Sequence, residues 1–365
     1  MPEIREIEAA DHWDEIVRGF RSADLRQGHA WGEIRRRQGW TPVRLAAFEG
    51  GECVAALGAL CRRLPLVGAV GYAPRGPLLH DDDLRGFDAL PALADAVRAR
   101  AGVTFLRVSP AVADERHDVR LRLRERGFCA LPDFWSLWNS PRNVMRMPLD
   151  GSEQDLLRRM ARKRRQHIST AARRGITADV RTDVADLGEF YRLLVDHADR
   201  NGYPVRDRGH LEALRAAYGP SGDLAVATGR VHGRVVSALL GVRFGALAYP
   251  LYAPSAEDAR GLPVGDLVHW EWIRWARSAG CRELDFGSSG THVPPRETDA
   301  NLGIYRFKVE IGCVLTLWMP YHDMVFDPIR YRLARTLERR ALGRLRFWFG
   351  LLPSSLRGAV ARRAA

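Results

Sequence analysis

Lys308 is the residue of this sequence whose type and setting most clearly suggest chemistry. It lies among apolar and aromatic residues in the stretch NLGIYRFKVEIG, and only two of the 56 basic residues are lysines, the other being Lys163. A lysine ammonium is a compact, rotatable point charge, whereas the arginine guanidinium is a planar fork, so lysine in this chain indicates a position where shape matters. On an apolar face the ammonium either reaches the edge of that face or meets an anion there, and the residues alone leave both possibilities open, together with chance retention.

The spacing around Lys308 favours a helix over a strand. Ile304, Phe307, Lys308 and Ile311 recur at helical intervals, whereas strand alternation would put the lysine on a polar face. Gly312 suits a helix C-terminus and is followed by the strand-like CVLTLWM. We therefore predict that Lys308 shares the buried face of a helix.

Asp285 is a second candidate catalytic residue. It ends the predicted strand RELDFG, from which a loop rich in Gly, Ser and Pro leads to the Lys308 helix. A loop that enters a helix N-terminus can bind phosphate through backbone N–H groups, although ordinary surface loops have the same composition.

Three further residues lie near predicted strand ends. Arg75, in YAPRGPLL, suits recognition of a carboxylate or phosphate and equally suits a structural ion pair. Tyr249 and Tyr252, in ALAYPLYAPS, can line a substrate cleft or complete a core.

The formal net charge of +12 is concentrated in two segments, LLRRMARKRRQHISTAARRG and the tail that follows Pro328, where ten arginines accompany the single acid Glu338. Such segments attract nucleic acid or an anionic lipid surface, and solvated helix faces are the ordinary alternative. The candidate RNA-binding residues are Arg158, Arg159, Arg162, Lys163, Arg164 and Arg165.

Composition and the absence of known motifs exclude several classes of protein. The five cysteines are scattered and unaccompanied by histidine clusters, which argues against disulfides and zinc, so no metal and a reducing cytoplasm are expected. GxSxG, HExxH and GxxxxGK[ST] motifs are absent, and no run of about 20 apolar residues could span a bilayer.

The order of predicted elements suggests two copies of one α+β fold. Each half shows helices, then strands with a helix among them, then a further strand. We expect domains at residues 1–147 and 148–319, and a basic tail, 320–365, that packs on the first domain. One continuous basic helix is expected from the Ser152 cap to Gly175.

Six stretches occur in the order and spacing of the FemXAB family and resemble it over nearly the whole chain: HAWGEIRRRQGW, YAPRGPLL, LRRMARKRRQHISTAARRGI, ALAYPLYAPS, RELDFG and GIYRFKVEIG. That resemblance implies tandem acetyltransferase-like (GNAT) domains of mixed sheets flanked by helices. It also implies a non-ribosomal peptidyl transferase that moves an amino acid from aminoacyl-tRNA to an amine of a peptidoglycan precursor, without a further cofactor. The segment from Asp196 to Gly222 is too short for the helical hairpin of some members.

The resemblance also implies roles for individual residues. Lys308 matches the family lysine beside the acyl-transfer centre, and Arg35 stands where a precursor-binding lysine is usual. Arg206 and His210 match an arginine and a tyrosine that hold substrate phosphates, so the tyrosine is replaced here. Tyr252, or Tyr249 in a shifted register, matches a cleft tyrosine. Ser109 replaces a frequent acid, which leaves the acceptor open between a precursor and a peptidyl natural product.

Two alternative functions remain at this stage. An acyl-CoA-dependent N-acyltransferase would need a pyrophosphate-binding turn, for which only LPVGD near residue 262 is a candidate. A non-catalytic RNA- or membrane-binding module would use the basic segments alone. The basic tail is expected to bind tRNA phosphates or, alternatively, to dock on the inner membrane face through RLRFWFGLLP, a stretch whose side chains lie outside the described residues. We expect a cytoplasmic monomer.

Overall fold

The computed structural model describes residues 2–80, 84–132 and 141–351, with the backbone alone at residue 172 and at 341–351. These residues form two compact units. The first comprises Met1–Arg142 with Thr316–Phe347, and the second is formed by Asn143–Leu315.

The first unit contains an eight-stranded mixed sheet in the order β1-β2-β3-β4-β6-β15-β7, with β5 paired to β3. Only the β4–β6 pair is parallel among its described pairings. Its elements are β1 (Glu3–Glu6), α1 (Ala10–Gly19), α2 (His29–Arg36), β2 (Thr41–Glu49), β3 (Glu52–Leu64), β4 (Gly68–Arg75), β5 (Leu78–Leu79), α3 (Leu84–Ala101), β6 (Val103–Pro110), α4 (His117–Glu125), β7 (Phe128–Ala130), β15 (His322–Val325) and α11 (Pro328–Leu351).

The core of the first unit lies between the sheet and α3. Phe87, Leu90 and Leu93 of that helix are buried against aliphatic residues of the strands. Strand β6 is buried along its whole length because β4 and β15 flank it.

The second unit contains a seven-stranded mixed sheet in the order β14-β8-β13-β12-β11-β10-β9. Its elements are β8 (Asn143–Pro148), α5 (Glu153–Arg159), α6 (Arg162–Ala171), β9 (Ile176–Arg181), α7 (Gly188–Asn201), α8 (Arg208–Tyr218), β10 (Leu224–Val231), β11 (Arg234–Phe244), β12 (Leu247–Tyr252), α9 (Val264–Ser278), β13 (Glu283–Ser288), α10 (Leu302–Glu310) and β14 (Val314–Leu317).

Strands β12 and β13 of the second sheet run parallel and pair with each other at Leu247–Glu283 and Ala248–Leu284. We call the region beyond these pairs, up to Tyr252 on β12 and Ser288 on β13, the β12–β13 opening. Beyond that point the register of β13 against β8 shifts between Asp285 and Ser288, which marks a β-bulge. The distal half of β13 is therefore released from regular pairing where the loop to α10 begins.

The expected α+β architecture of mixed sheets flanked by helices is confirmed, but the predicted continuous basic helix is wrong. Ser152 does cap its start, with Asp155 completing a capping box. The chain then breaks at Met160, which is buried and extended at φ −76° and ψ 150°, so α5 and α6 are separate helices. The N–H of Ala161 donates to the carbonyl of Glu310 on α10, at 2.7 Å, which fixes the break.

The unit boundaries differ from the expected domain limits. The second unit begins at Asn143, because β8 pairs with β13 over its length, and residues 316–319 belong to the first unit. Strand β15 of the predicted tail pairs with both β6 and β7 in the first sheet, and α11 follows it.

Candidate active site

Lys308 lies in α10 and is anchored to the bulged end of β13. Its Nζ donates hydrogen bonds to the carbonyl oxygens of Phe286, at 2.7 Å, and Ser288, at 2.8 Å. Burial lowers the pKa of the ammonium from its ordinary value, and the nearby Asp285 carboxylate acts in the opposite direction. An ammonium has three N–H donors, so one remains for a substrate oxygen after these two bonds.

The bulge makes both carbonyls available to Lys308. Asp285, which is buried, accepts a hydrogen bond from the N–H of Gly287 at 2.7 Å and so fixes the turn at the end of the strand. Gly287 has φ +70°, a conformation that favours glycine. The two sequence-predicted catalytic residues are therefore brought together, with Asp285 shaping the backbone that holds Lys308.

The predicted inward face of α10 is correct only in part. Phe307 and Lys308 are half-buried and Ile311 is buried, but Ile304 is 53% exposed. Tyr305 is half-buried and packs against the core instead. The helix is only nine residues long and contacts the core mainly through its C-terminal turn, so ideal periodicity fails at its start.

Arg164 ties three helices together beside Lys308. Its Nη1 donates to Asp266 on α9 at 2.8 Å, and its Nε and Nη2 donate to Glu310 on α10 at 2.9 and 2.6 Å. Its guanidinium carbon lies 4.9 Å from the ring centroid of Phe307. His167 is also bound to Asp266, through Nδ1 at 2.5 Å.

His269 is a buried histidine at the site that the sequence analysis missed. Its ring packs edge-on to Phe307, with centroids 4.9 Å apart, and stacks with Phe286 at 6.4 Å. Its Nδ1 lies 2.8 Å from the carbonyl oxygen of Gly265, which can only accept, so Nδ1 is the donor; burial lowers the pKa of the ring. The available signal was a histidine between Val268 and Trp270 in the helix stretch VGDLVHWEWIRW.

Tyr252 and Arg206 lie near one another at the other side of the β12–β13 opening. Burial raises the pKa of Tyr252 to about 12, and the charge of Arg206 opposes that shift. Arg206 is exposed and His210 half-buried at the start of α8. Tyr249 is buried in the sheet, so Tyr252 is the tyrosine that can face a ligand.

The predicted RNA-binding residues divide into two groups. Arg158 and Arg159 pair with Asp155 and Asp150, Arg164 is held as described, and Arg165 donates to the Met160 carbonyl. Arg162 and Lys163 are exposed at the start of α6, and among the described residues no carboxylate lies within ion-pair distance of either.

In the first unit, Arg75 and Ser109 meet where β4 ends. The Arg75 N–H donates to Ser109 Oγ at 3.0 Å, and Ser109 N–H donates to the carbonyl of Gly76 at 3.1 Å. Arg75 has φ +59°, is buried, and donates through Nη2 to Pro141 at 2.8 Å. These contacts are those of a structural clamp.

Arg35 lies elsewhere in the first unit, at the end of α2. It bonds Gln38 and packs over Trp40, 5.5 Å from the ring centroid. It is half-buried.

The described residues contain neither a metal-binding cluster nor a membrane-spanning helix. No group of three or more His, Cys, Asp or Glu side chains is placed there to share a metal ion. None of the helices in that part of the chain is long and apolar enough to cross a bilayer.

Comparisons with known proteins identify the fold. A family model described as an acetyltransferase (GNAT) domain matches residues 157–308. Lipid II:glycine glycyltransferase of Staphylococcus aureus (strain COL) is 23% identical over 401 residues, covering 90% of this chain and 94% of that protein. The crystal structure of FemX superposes with a TM-score of 0.82 at 21% identity, covering 91% of this chain and 99% of the other. A tandem GNAT protein from the clavulanic acid biosynthesis pathway gives a TM-score of 0.50 at 10% identity, covering 88% and 98%.

Two mixed sheets with flanking helices, and an acetyltransferase (GNAT) match over the second, define a tandem-GNAT fold. The chain is a FemX-like homologue of lipid II:glycine glycyltransferase, and the resemblance inferred from its motifs is confirmed.

Proposed function

We propose that this protein transfers an amino acid from aminoacyl-tRNA to an amine of a peptidoglycan precursor peptide or a related peptidyl acceptor. The observation that carries the proposal is the Lys308 ammonium, held by two carbonyls of the β13 bulge with one N–H left over. A fixed cation in a half-buried site is suited to stabilise the oxyanion of acyl transfer.

The proposed reaction is aminolysis of an ester. The neutral acceptor amine attacks the ester carbonyl carbon, and the oxygen that becomes negative accepts a hydrogen bond from Lys308. The bond to the ribose oxygen then breaks, and the proton lost by the amine ends on that oxygen. Asp285 contributes to the reaction by holding the backbone turn that positions Lys308, and the substrate itself can relay the proton.

The donor is proposed from the charge of the second unit. Arg162 and Lys163 are exposed cations on α6, the helix that Arg164 links to α10. Contacts to tRNA phosphates would release counterions, so donor binding should weaken as salt rises. Because aminoacyl-tRNA is made in the cytoplasm, the proposal entails a cytoplasmic site of action.

An acyl-CoA donor is less well supported. The only candidate pyrophosphate turn, LPVGD, leads into α9, where Asp266 occupies the first turn and is buried. A carboxylate at a helix N-terminus takes the place that an anion would otherwise fill. Arg164 and His167 already bind this carboxylate.

The acceptor is proposed from the relatives and from the polar residues around the opening. The S. aureus relatives are named for glycine transfer to lipid II. Tyr252, Arg206 and His210 are the proposed contacts for acceptor phosphates. In the first unit Arg35 is a proposed acceptor contact, whereas Arg75 and Ser109 are proposed to act indirectly, through the structural clamp that they form. A monomer with peripheral membrane contact completes the proposal.

A transfer assay tests this function directly. The protein is incubated with a pool of labelled aminoacyl-tRNAs and with lipid-linked, nucleotide-linked or peptide acceptors in parallel. We expect label to enter an acceptor, RNase treatment beforehand to abolish transfer, and acyl-CoA to be dispensable. Transfer that survives RNase, or that requires acyl-CoA, would refute the proposed donor.

A further inference from the structure

The outward face of α11 carries an exposed aliphatic row. Ile329, Leu333 and Leu337 follow one another at four-residue spacing and therefore lie on one side of the helix. Ile329 is 81% exposed, and Leu333 and Leu337 are 38% and 39% exposed. We call this row, with the arginines beside it, the α11 outer face.

The opposite side of α11 is firmly attached to the first unit. Tyr331 and Ala334 pack against a cluster that contains Val67 and Phe105. The Tyr331 hydroxyl also donates to Asp323 at 2.9 Å. Because this side of the helix is already anchored, the exposed aliphatic row is not needed to attach α11 to the unit.

The charges of the α11 outer face are all positive. Arg332, Arg339 and Arg340 are exposed beside the aliphatic row, and no carboxylate lies within ion-pair distance of them among the described residues. Glu338 is the only acid in the helix, and it is buried and bonded to Arg107 and Arg335.

The turn between β3 and β4 also carries an exposed aliphatic side chain close to an exposed arginine. Leu66, between β3 and β4, is 79% exposed, and the next residue, Val67, belongs to the cluster that holds Tyr331. Arg63 is exposed just before this turn. The turn thus adds another aliphatic side chain and another cation next to the helix.

We propose that the α11 outer face docks peripherally on an anionic membrane surface. Aliphatic side chains that enter the acyl boundary while flanking arginines meet lipid phosphates are the chemistry of an interfacial helix. RNA is the weaker fit, because a row of leucines and isoleucine offers nothing to phosphates or to base edges. The inference deepens the proposed function, since an acceptor carried by a lipid would be reached from such a surface.

Vesicle co-sedimentation of the full chain tests the proposal without any substrate. The vesicles are phosphatidylcholine with or without phosphatidylglycerol, and the variant is Ile329→Ser/Leu333→Ser/Leu337→Ser. A matched control is Leu121→Ser, which removes an exposed leucine from α4, another arginine-rich helix of the first unit. We expect binding to phosphatidylglycerol vesicles to fall about tenfold or more in the triple variant and to stay unchanged in the control.

A second variant separates charge from burial of apolar surface. Arg332→Gln/Arg339→Gln/Arg340→Gln should weaken binding to phosphatidylglycerol vesicles and reduce its salt dependence. Unaltered melting temperatures establish that the variants fold. Equal sedimentation of the wild type with both vesicle types, or loss of RNA binding instead of vesicle binding in the triple variant, would overturn the proposal. Transfer to a soluble peptide acceptor is measured separately, so failure of the transferase proposal would not be mistaken for failure of docking.

Discussion

Arg164 stacks on Phe307, the residue that precedes Lys308, with 4.9 Å between the guanidinium carbon and the ring centroid. The same guanidinium binds Glu310, two residues beyond Lys308, at 2.6 Å. These contacts grip α10 on either side of the lysine. Since Arg164 touches no reacting atom in the proposed reaction, it is a positioning residue.

Replacing Arg164 should therefore lower turnover more than substrate binding. In Arg164→Met the stacking and the bonds to Glu310 and Asp266 are lost, and the Lys308 ammonium is less precisely fixed. We expect kcat to fall about tenfold or more while KM for the acceptor changes little, because misplacement of a catalytic group acts on the transition state.

Arg274→Met is the matched control for Arg164→Met. Arg274 lies in the same unit and also bonds two carboxylates, Glu153 and Glu271, but on an exposed surface. Its loss should leave kcat unchanged. Partial recovery in Arg164→Lys, which restores one charge without the planar fork, would support positioning. Equal effects of the Arg164 and Arg274 substitutions would contradict it.

Lys308 itself should be required for the chemical step. Lys308→Met should lower kcat by about a hundredfold to a thousandfold, the usual effect of removing one oxyanion donor. Arg306 is an exposed cation on the same helix as Lys308 and is bonded to Glu297 in the preceding loop, and Arg306→Met should have little effect. A Lys308→Met variant that lost acceptor binding but kept kcat would instead indicate phosphate anchoring.

The pH profile offers an independent check of Lys308. Burial lowers the pKa of its ammonium, so the charged form should be lost at a lower pH than for an exposed lysine. Transfer by the wild type should decline on the alkaline side, whereas residual transfer by Lys308→Arg, which stays charged, should not. Comparing the two proteins cancels the titration of the substrate amine.

The sequence predicted the elements of the site better than its geometry. Lys308 was found because a lysine is rare here and has helical neighbours, both of which are local signals. The exposed start of α10 and the break at Met160 were missed, because both depend on contacts with residues distant in sequence, such as the bond from Ala161 to Glu310. Local periodicity carries no information about such contacts.

His269 shows a further limit of the sequence. A single histidine in an apolar helix has no spacing partner, and only the fold brings Phe286 and Phe307 to its ring. The basic segment shows the converse: six similar residues were predicted alike, but the fold supplies acidic partners for Arg158, Arg159 and Arg164 and leaves Arg162 and Lys163 exposed.

His269 should make folding stability sensitive to acid. Burial lowers its folded-state pKa below the ordinary value of 6.5, with the Arg164 charge adding to this and Asp266 opposing it. The contribution of neutral His269 to the free energy of unfolding is complete above pH 6.5. It is lost as the pH falls toward the folded-state pKa, because over that range the unfolded chain binds a proton that the folded chain does not. Urea unfolding at about pH 8 and about pH 5 should show that the free energy of unfolding falls less in His269→Asn than in the wild type. An identical loss in both proteins would contradict this. Burial lowers the pKa of His322 too, so His322→Asn should also reduce the fall in unfolding free energy at low pH, independently of His269.

Arg107 should be the most sensitive ion-pair residue of the first unit. It is fully buried and binds Asp323 with Nε and Nη2, both at 2.8 Å, and Glu338 with Nη1 at 2.8 Å. Arg107→Met leaves two buried carboxylates without this partner and should lower the free energy of unfolding by about 3–5 kcal/mol. Arg116→Met removes a two-bond pair with Asp118 on the exposed surface and should change it little. Asp323 lies in β15 and Glu338 in α11, so Arg107→Met should also expose α11 to limited proteolysis. If α11 stayed protected and the free energy of unfolding were unchanged, Arg107 would not anchor the helix.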